Sequence, residues 1–224
     1  MDKNKFYDLG VICGRFGHEH LGHVSLFDTC QKFCKRTLIL VGSAQESGTL
    51  RNPFSAETRI DVIRQTYPNI SENTLIIKGI NDLKNEFNTN NDWGKYLKSQ
   101  VELHMGKFAD LLVYGNDGFR TSWFAPEDLI TTDQLVISRT ALNVSATMVR
   151  GLLVIGDEET WKRCVHPNIH SMYPTLRNEL MNVSVYKEIY NKLDQNNLTI
   201  DSFMQIYKIF EEKDKQEKLA QLEK

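Results

Sequence analysis

The sequence predicts an α/β fold: a doubly wound parallel sheet followed by helices in the C-terminal part of the chain. Short apolar runs rich in β-branched residues alternate with segments of helical periodicity from Leu9 to Gly156. Strands that alternate with helices form β-α-β units, and such units build a parallel sheet covered by helices. After Gly156 the strand-like runs stop, and the remaining apolar residues recur at helical spacing. An open sheet of this kind binds its ligands beyond the carboxyl ends of its strands.

The individual elements follow from the spacing of apolar residues. Apolar runs predict five buried strands, at residues 9–13, 37–41, 74–78, 111–114 and 135–137. Helical periodicity predicts helices at residues 21–34, 56–66 and 92–105, and a further helix that begins at residue 146. Ser55 and Ser145 are expected to cap two of these helices. Beyond Gly156 the pattern predicts helices at residues 157–165, 174–193 and 203–224. We therefore predict a domain at residues 1–165 and a helical C-terminal extension at residues 166–224.

Composition and charge exclude several classes of partner. Hydrophobic residues make up 41% of the chain and charged residues 25%, and the formal net charge is −2. A nearly neutral chain has no electrostatic basis for bulk binding to nucleic acid or to a membrane, so neither is expected as a partner. No apolar run approaches the roughly 20 residues that span a bilayer, and the N-terminus is too polar for a signal peptide. The four cysteines form no CxxC pair, which indicates reduced thiols and a cytoplasmic location.

The most informative segment is GRFGHEHLGH, residues 14–23, which directly follows the first predicted strand. Glycines after a strand let the backbone approach a phosphate closely. His20 and His23 are three residues apart at the start of a helix, so they can share one face, and the helix N-terminus adds partial positive charge. With Arg15 they predict an anion site. A metal site that also uses His18 is a weaker interpretation, because zinc ligands usually come from more than one element.

A second segment, NVSATMVR at residues 143–150, is expected near the same site. Ser145 can cap the helix, and Thr147 can offer a hydroxyl to a phosphate near the helix end. Arg150 lies three residues further on and returns to the same face. A simple capped helix explains this segment about as well.

A third segment, GSAQE at residues 42–46, follows the second predicted strand. A turn of small residues at the carboxyl end of a strand can line a nucleotide pocket. Arg51 comes shortly afterwards and can meet a phosphate. Residues 52–55 (NPFS) are equally well explained as a rigid loop that starts the next helix.

In this order, the segments resemble the HxGH nucleotidyltransferase superfamily, which carries GRF-x3-H-x-GH after its first strand and S-x-T-x2-R near the end of its domain. The likeness is to the archaeal type of nicotinamide-mononucleotide (NMN) adenylyltransferase and to the corresponding domain of the bacterial bifunctional NAD regulator. Residues 42–47 and 52–57 resemble the family's GSAQxS and NPFTAxER stretches, and residues 115–116 its SGN turn. Arg139 and Thr140 resemble the regulator's RT-x4-SG spacing. The likeness covers roughly residues 9–165 and implies a Rossmann-like sheet.

The resemblance implies transfer of AMP from ATP to NMN with release of pyrophosphate, and Mg²⁺ bound with the ATP. By position, it implies that the catalytic residues are His20, His23 and Arg150. The ATP-binding residues that it implies are Gly14, Arg15, Phe16, Gly22, Arg51, Gly115, Asn116, Ser145 and Thr147. Asp82 and Trp93 are implied in the mononucleotide pocket, with the indole stacked on the cationic nicotinamide ring. Ordinary core packing is the alternative for Trp93.

Two departures from the family pattern leave the acceptor open. Gly17, His18 and Glu19 stand where the family has Gln-Pro-aromatic, and the segment between Asp82 and Trp93 is longer and more polar. Both lie on the side of the second substrate. The alternatives are therefore an adenylyltransferase for nicotinic acid mononucleotide, phosphopantetheine or FMN, or a nucleotide-binding regulator that has lost catalysis. The oligomeric state is also open, with the C-terminal helices as candidate contact surfaces of a homo-oligomer.

Overall fold

The computed structural model of the protein describes residues 5–83, 89–116, 120–138 and 144–222. Its five strands are β1 (Tyr7–Gly14), β2 (Cys34–Val41), β3 (Leu75–Gly79), β4 (Leu111–Gly115) and β5 (Asp133–Ile137). They form one sheet in the order β3-β2-β1-β4-β5, and every neighbouring pair is parallel. The chain winds outward from β1 in both directions, so the order switches between β1 and β4. The predicted doubly wound parallel sheet is confirmed.

Eight α-helices accompany the sheet in the described part of the chain. They are α1 (Leu21–Phe33), α2 (Ala56–Thr66), α3 (Asn90–Met105), α4 (Ala146–Ile155), α5 (Glu158–Cys164), α6 (Tyr173–Asn182), α7 (Ser184–Lys192) and α8 (Ile200–Leu222). Short 3₁₀ turns lie at Thr121–Trp123, Pro126–Leu129 and Pro167–Met172. Among the helices of the described residues, none is both long and apolar enough to cross a membrane.

The two faces of the sheet bury different helices. Successive residues of a strand point to opposite faces. Ile12 of β1 packs in the cluster that contains Phe27 of α1 and Ile63 of α2. The preceding residue, Val11, packs in the cluster that contains Val101 of α3. Both faces are therefore covered, which explains why the strands are continuous apolar runs rather than alternating ones.

The predicted helix caps form as expected. The hydroxyl of Ser55 accepts a hydrogen bond from the backbone N–H of Thr58 at 3.1 Å, at the start of α2. The hydroxyl of Ser145 accepts one from Met148 at 3.2 Å, at the start of α4. Such caps satisfy backbone donors that have no partner inside the helix. The start of α4 is thereby fixed close to the carboxyl ends of the strands.

A third core joins the C-terminal helices to the sheet domain. Trp161, Tyr186 and Phe203 pack there with Leu50 and Phe54, which precede α2. Helices on both sides of residue 165 share this core, and the division of the chain at that residue stays a prediction. Gly151 allows α8 to pack closely on α4, because a β carbon at this position would lie 2.4 Å from the ring of Phe203.

One predicted helix is wrong. The segment at residues 174–193 is not continuous but forms α6 and α7, separated at Val183, whose backbone is extended (φ −76°, ψ 124°). The break lets both helices bury apolar side chains in the same core, among them Leu180 and Tyr186. No glycine or proline marks this break in the sequence, so periodicity alone did not predict it.

Candidate active site

The first helix begins on a histidine. His20 has extended backbone angles and caps α1, and its ring Nδ1 accepts a hydrogen bond from the backbone N–H of Gly22 at 3.1 Å. Because Nδ1 is an acceptor, the neutral ring carries its proton on Nε2, which is then a donor. The ring of His23 stacks on that of His20, with centroids 3.8 Å apart and planes at 25°. The prediction that His20 and His23 share one face is confirmed.

Two glycines make room for this arrangement. A β carbon at Gly22 would lie 2.9 Å from Cε1 of His20, so a side chain there would displace the ring. A β carbon at Gly17 would lie 3.2 Å from Nη1 of Arg150. Gly22 therefore leaves room for the His20 ring, and Gly17 lets an arginine from α4 approach the loop after β1.

A cavity of about 290 Å³ opens at the carboxyl ends of β1 and β4, beside the switch point of the sheet. Its wall brings together most of the residues predicted for the phosphate site, namely Gly14, Arg15, Phe16, His20, His23, Arg51, Gly115, Thr147 and Arg150. These residues come from separate parts of the sequence and meet because the carboxyl ends of parallel strands share one edge of the sheet. The paired imidazoles and Arg150 thus line one cavity, and their predicted contact with a single triphosphate stays a prediction.

Three predicted ATP-binding residues lie outside this wall. Gly22 lies beside the His20 ring, and Ser145 is occupied in capping α4. Asn116 is exposed, and its backbone N–H donates to the carbonyl of Ile137 at 3.2 Å. Their predicted roles in ATP binding stay predictions, and the cap of Ser145 supports the wall indirectly by fixing the first turn of α4.

The cavity wall is strongly cationic. Four arginines line it, namely Arg15, Arg51, Arg120 and Arg150, and Glu211 is the one carboxylate among the described residues of the wall. The pKa of Arg15 is lowered, first by desolvation and then by the charges of Arg51 and Arg150. The arginines are thus close enough to repel one another, and a multivalent anion would relieve this repulsion.

Arg150 is buried without a carboxylate partner in the described part of the chain. Its Nε donates to the hydroxyl of Tyr186 at 2.7 Å, and its Nη2 donates to those of Thr147 and Tyr207 at 3.2 Å each. Desolvation lowers the pKa of Arg150, the facing tyrosines raise it, and the net shift is upward, so the guanidinium stays charged. A buried charge is costly unless it is paired. An anion in the cavity would supply the missing negative charge.

Arg59 supports the site from behind, a role that the spacing of the motifs did not predict. Its Nη1 donates to the carbonyls of Arg15 at 2.6 Å and Gly42 at 2.7 Å, and its Nη2 donates to that of Ser43 at 3.0 Å. The guanidinium therefore joins the ends of β1 and β2. Ser43 and Phe16, which follow these strands, have φ values of 51° and 47°, in the left-handed region that non-glycine residues rarely adopt. The family's NPFTAxER pattern ends on Arg59 and was the available signal.

Two of the residues that depart from the family pattern, His18 and Glu19, are directed into the protein interior. His18 is buried, with Nδ1 bonded to the carbonyl of Glu19 at 2.7 Å and Nε2 accepting from the indole of Trp161 at 3.2 Å. Burial lowers the pKa of His18 to about 4. Glu19 accepts a hydrogen bond from the hydroxyl of Thr66 at 2.6 Å, and burial raises the pKa of its carboxyl to about 8. These two side chains hold the loop against α2 and α5.

The predicted mononucleotide residues lie outside the wall of the cavity. The side chain of Gln45 bonds both the backbone N–H of Asp82 at 3.0 Å and its carboxylate at 3.3 Å, which ties the loop after β2 to the segment after β3. Trp93 is partly buried in the α3 core, where its ring meets that of Trp123 edge-on at 6.1 Å. Core packing of Trp93 is therefore observed, and its stacking on a nicotinamide ring stays a prediction.

Arg139 and Thr140, together with residues 84–88 of the polar segment that precedes Trp93, lie outside the described residues. Within the described residues, no three side chains of His, Cys, Asp or Glu gather as candidate metal ligands.

Known proteins with similar sequences identify the family of this chain. The profile of the cytidylyltransferase-like family matches residues 11–185. The nicotinamide-nucleotide adenylyltransferase of Aeropyrum pernix is 29% identical over 161 residues, which cover 71% of this chain and 86% of that protein. The corresponding enzyme of Sulfurisphaera tokodaii is 29% identical over 171 residues, which cover 75% and 92%. The predicted resemblance to archaeal adenylyltransferases is confirmed.

A solved structure shares the fold. It is a bifunctional NMN adenylyltransferase/ADP ribose pyrophosphatase from Francisella tularensis, complexed with AMP and a manganese ion, with a TM-score of 0.62 at 22% identity. The match covers 83% of this chain and 52% of that one, so this chain spans about half the length of the solved protein. With the profile match extending over most of the sheet and the first C-terminal helices, the chain belongs to the cytidylyltransferase-like family.

Proposed function

We propose that this protein is an adenylyltransferase that transfers AMP from ATP to NMN, giving NAD and pyrophosphate. The observation that carries the proposal is the cationic cavity at the switch point, where His20, His23 and Arg150 meet Arg15 and Arg51. A triphosphate supplies the negative charge that this wall lacks. The archaeal relatives named nicotinamide-nucleotide adenylyltransferases, matched over 86% and 92% of their lengths, support NMN as the acceptor.

The reaction needs no protein nucleophile. A phosphate oxygen of NMN attacks the α-phosphorus of ATP in line, the new P–O bond forms, and the bond to the bridging oxygen of the β-phosphate breaks. Pyrophosphate leaves with the electron pair of that bond. Such a transfer requires mainly positioning of the reactants and stabilisation of developing charge. The cavity wall offers both.

Different residues of the cavity wall position the reactants and stabilise the developing charge. The backbone after β1 and the N-terminus of α1 form the phosphate cradle, because helix N-termini favour anions. His20 donates from Nε2, since its Nδ1 is occupied by Gly22. His23 and Arg150 stabilise the charge that develops on the leaving pyrophosphate. Gly115, at the end of β4, lies on the adenosine side of this arrangement.

Mg²⁺ enters this proposal as an ion that arrives with ATP. Such ions are commonly held by substrate phosphates and water with few protein ligands. Glu211, the one carboxylate in the described wall, lies 3.8 Å from Nη2 of Arg51, and no protein cage is needed. When bound, the ion adds charge neutralisation on the phosphates. The solved Francisella protein held AMP and a manganese ion, which supports a divalent cation.

Asp82 and Trp93 remain our candidates for the acceptor side. Gln45 fixes Asp82 next to the loop after β2, and the indole of Trp93 belongs to a cluster with Trp123. Arg120, in the cavity wall, lies 4.6 Å from the ring of Trp123, so this aromatic cluster reaches the cavity through a cation–π contact. A cytoplasmic location completes the proposal and agrees with four cysteines that are all free thiols.

The test is incubation of the protein with ATP, Mg²⁺ and NMN, followed by detection of NAD and pyrophosphate. We expect NMN to be the best acceptor in a panel with nicotinic acid mononucleotide, phosphopantetheine and FMN, and ATP to be preferred over CTP. Faster turnover with another acceptor would overturn the assignment of NMN while retaining the reaction class. Tight ATP binding without turnover on any acceptor would instead favour a regulator that has lost catalysis.

A further inference from the structure

Two tyrosines from the C-terminal helices reach the phosphate site. Tyr186 of α7 and Tyr207 of α8 are both buried, and both hydroxyls accept hydrogen bonds from the guanidinium of Arg150, at 2.7 and 3.2 Å. The ring of Tyr207 also lies 5.9 Å from the guanidinium carbon. These helices lie beyond the segments whose motifs suggested the chemistry.

The direction of each hydrogen bond in this network is fixed. A guanidinium only donates, so both phenol oxygens are acceptors toward Arg150. Each phenol then has its single proton for another partner. Both hydroxyls donate to the backbone carbonyl of Leu50, at 2.8 Å from Tyr186 and 3.4 Å from Tyr207. Burial raises the pKa of Tyr186 to about 12, so its proton is retained at neutral pH.

The shared acceptor lies next to another arginine of the cavity. Leu50 immediately precedes Arg51, which lines the same wall as Arg150. Arg150 and the backbone beside Arg51 are therefore held through the same two hydroxyls. The close packing of α8 on α4 at Gly151 brings Tyr207 over Arg150.

We propose that Tyr186 and Tyr207 are positioning residues of the phosphate site. They fix the guanidinium of Arg150 and, through the carbonyl of Leu50, the chain beside Arg51. The C-terminal helices therefore complete the site rather than only covering the sheet domain. This inference rests on the proposed function, in which Arg150 and Arg51 contact the triphosphate.

The experiment substitutes Phe for each tyrosine, which removes the hydroxyl and keeps the packed ring. Tyr186→Phe should raise the dissociation constant for MgATP and lower kcat, each by roughly tenfold, because a hydrogen bond to a buried charged group is lost. Tyr207→Phe should act in the same direction by roughly threefold, since its bonds are longer. Tyr190→Phe removes a hydroxyl from the same helix α7 that is not a partner of Arg150, and should leave both quantities unchanged.

A double-mutant cycle separates positioning from general stability. In an Arg150→Gln background, Tyr186→Phe and Tyr207→Phe should each change MgATP binding by less than about twofold, because the group that they position is gone. An equal loss of binding in both backgrounds would overturn the proposal, as would unchanged binding in a folded Tyr186→Phe variant. If Tyr186→Phe does not fold, the same cycle on Tyr207, at the cavity wall, decides the question.

The readouts distinguish this inference from the proposed function. If the wild-type protein binds MgATP but forms no NAD, the function fails, and the binding cycle still tests the tyrosines. If NAD forms and the cycle shows no coupling, the positioning role fails alone. If the wild-type protein does not bind MgATP, both fail.

Discussion

The proposed phosphate side and the proposed acceptor side of the site are built differently. On the phosphate side, the ends of strands, two stacked histidines and several arginines line one cavity. The guanidinium of Arg150 there has identified hydrogen-bond partners. On the acceptor side, Asp82 is tied to a loop glutamine and Trp93 to a cluster of aromatic rings. The residues proposed for phosphate binding stand at fixed spacing along the chain, whereas those proposed for the acceptor depend on how distant segments pack. The first is therefore far easier to infer from the sequence than the second.

The largest expected effect tests the phosphate side. His23→Ala should lower turnover by ~10²–10³, because one preorganised contact to the transition state is lost. The protein should still fold, since the His20 ring still caps α1. The measurement is kcat with saturating ATP and NMN. His104→Ala changes an exposed histidine of α3 and serves as the control. Near wild-type turnover of His23→Ala would remove His23 from the catalytic residues.

The next effect tests the acceptor side. Trp93→Ala should raise the KM for NMN by roughly tenfold, the loss expected when an aromatic ring no longer stacks on a cationic ligand. The KM for ATP should stay within about twofold of wild type. Steady-state kinetics with each substrate varied in turn measure both values. A variant that loses stability while its KM for NMN is unchanged would show that Trp93 is a core residue, and would leave acceptor recognition to other groups.

A smaller effect tests the loop that lies behind the phosphate site. The pKa of Glu19 is raised by burial to about 8, so the folded state holds a proton that the unfolded state has already released. Stability should therefore fall as the pH rises from about 5 to 8, by on the order of 1 kcal/mol per pH unit at most. Glu19→Gln should abolish this dependence, which urea unfolding at several pH values would measure.

Above pH 7, the effect of Glu19 on stability can be measured separately from that of His18. The pKa of His18 is lowered by burial to about 4, so its contribution is lost only as the pH falls below about 6.5. Above pH 7 it is neutral in both states and adds no slope. Parallel stability curves for wild type and Glu19→Gln between pH 6 and 9 would mean that Glu19 is ionised in the folded protein.

The smallest effect concerns the rim of the cavity. Glu211→Gln should lower the KM for ATP by about twofold, because a partly exposed carboxylate 3.8 Å from Arg51 competes weakly with the incoming phosphates. The difference should shrink at high salt, where exposed charges are screened. Glu217→Gln, further along α8, is the matched control. An increase in KM would indicate that Glu211 assists ATP binding.

The sheet, and the residues that meet in the cavity wall, could be predicted from the sequence for a physical reason. Buried parallel strands are continuous apolar runs, and the motif residues follow those runs directly, so His20 and Arg51 could be assigned to one edge of the sheet. The break at Val183 was missed because no glycine or proline marks it. For Arg59, only the family's NPFTAxER pattern was a signal, because helical spacing on α2 does not distinguish a buried arginine from an exposed one.

The contribution of the C-terminal helices could not be predicted from spacing. Tyr186 and Tyr207 have the periodicity of ordinary core residues, and their hydroxyl partners are Arg150 and Leu50, which lie far away in the sequence. Only the packing of α7 and α8 onto α4 gives these hydroxyls a role. For the same reason, the acceptor residues were inferred from a family likeness rather than from a pattern.

The side chain of Gly151 is a single hydrogen atom, and this has a consequence for how the protein can vary. A larger residue there would lift α8 from α4 and move Tyr207 away from the guanidinium, although Gly151 itself is not part of the cavity wall. Changes in α8 and in α4 are therefore tied to each other. If one of these two helices is exchanged between relatives without the other, we expect the affinity for MgATP to fall.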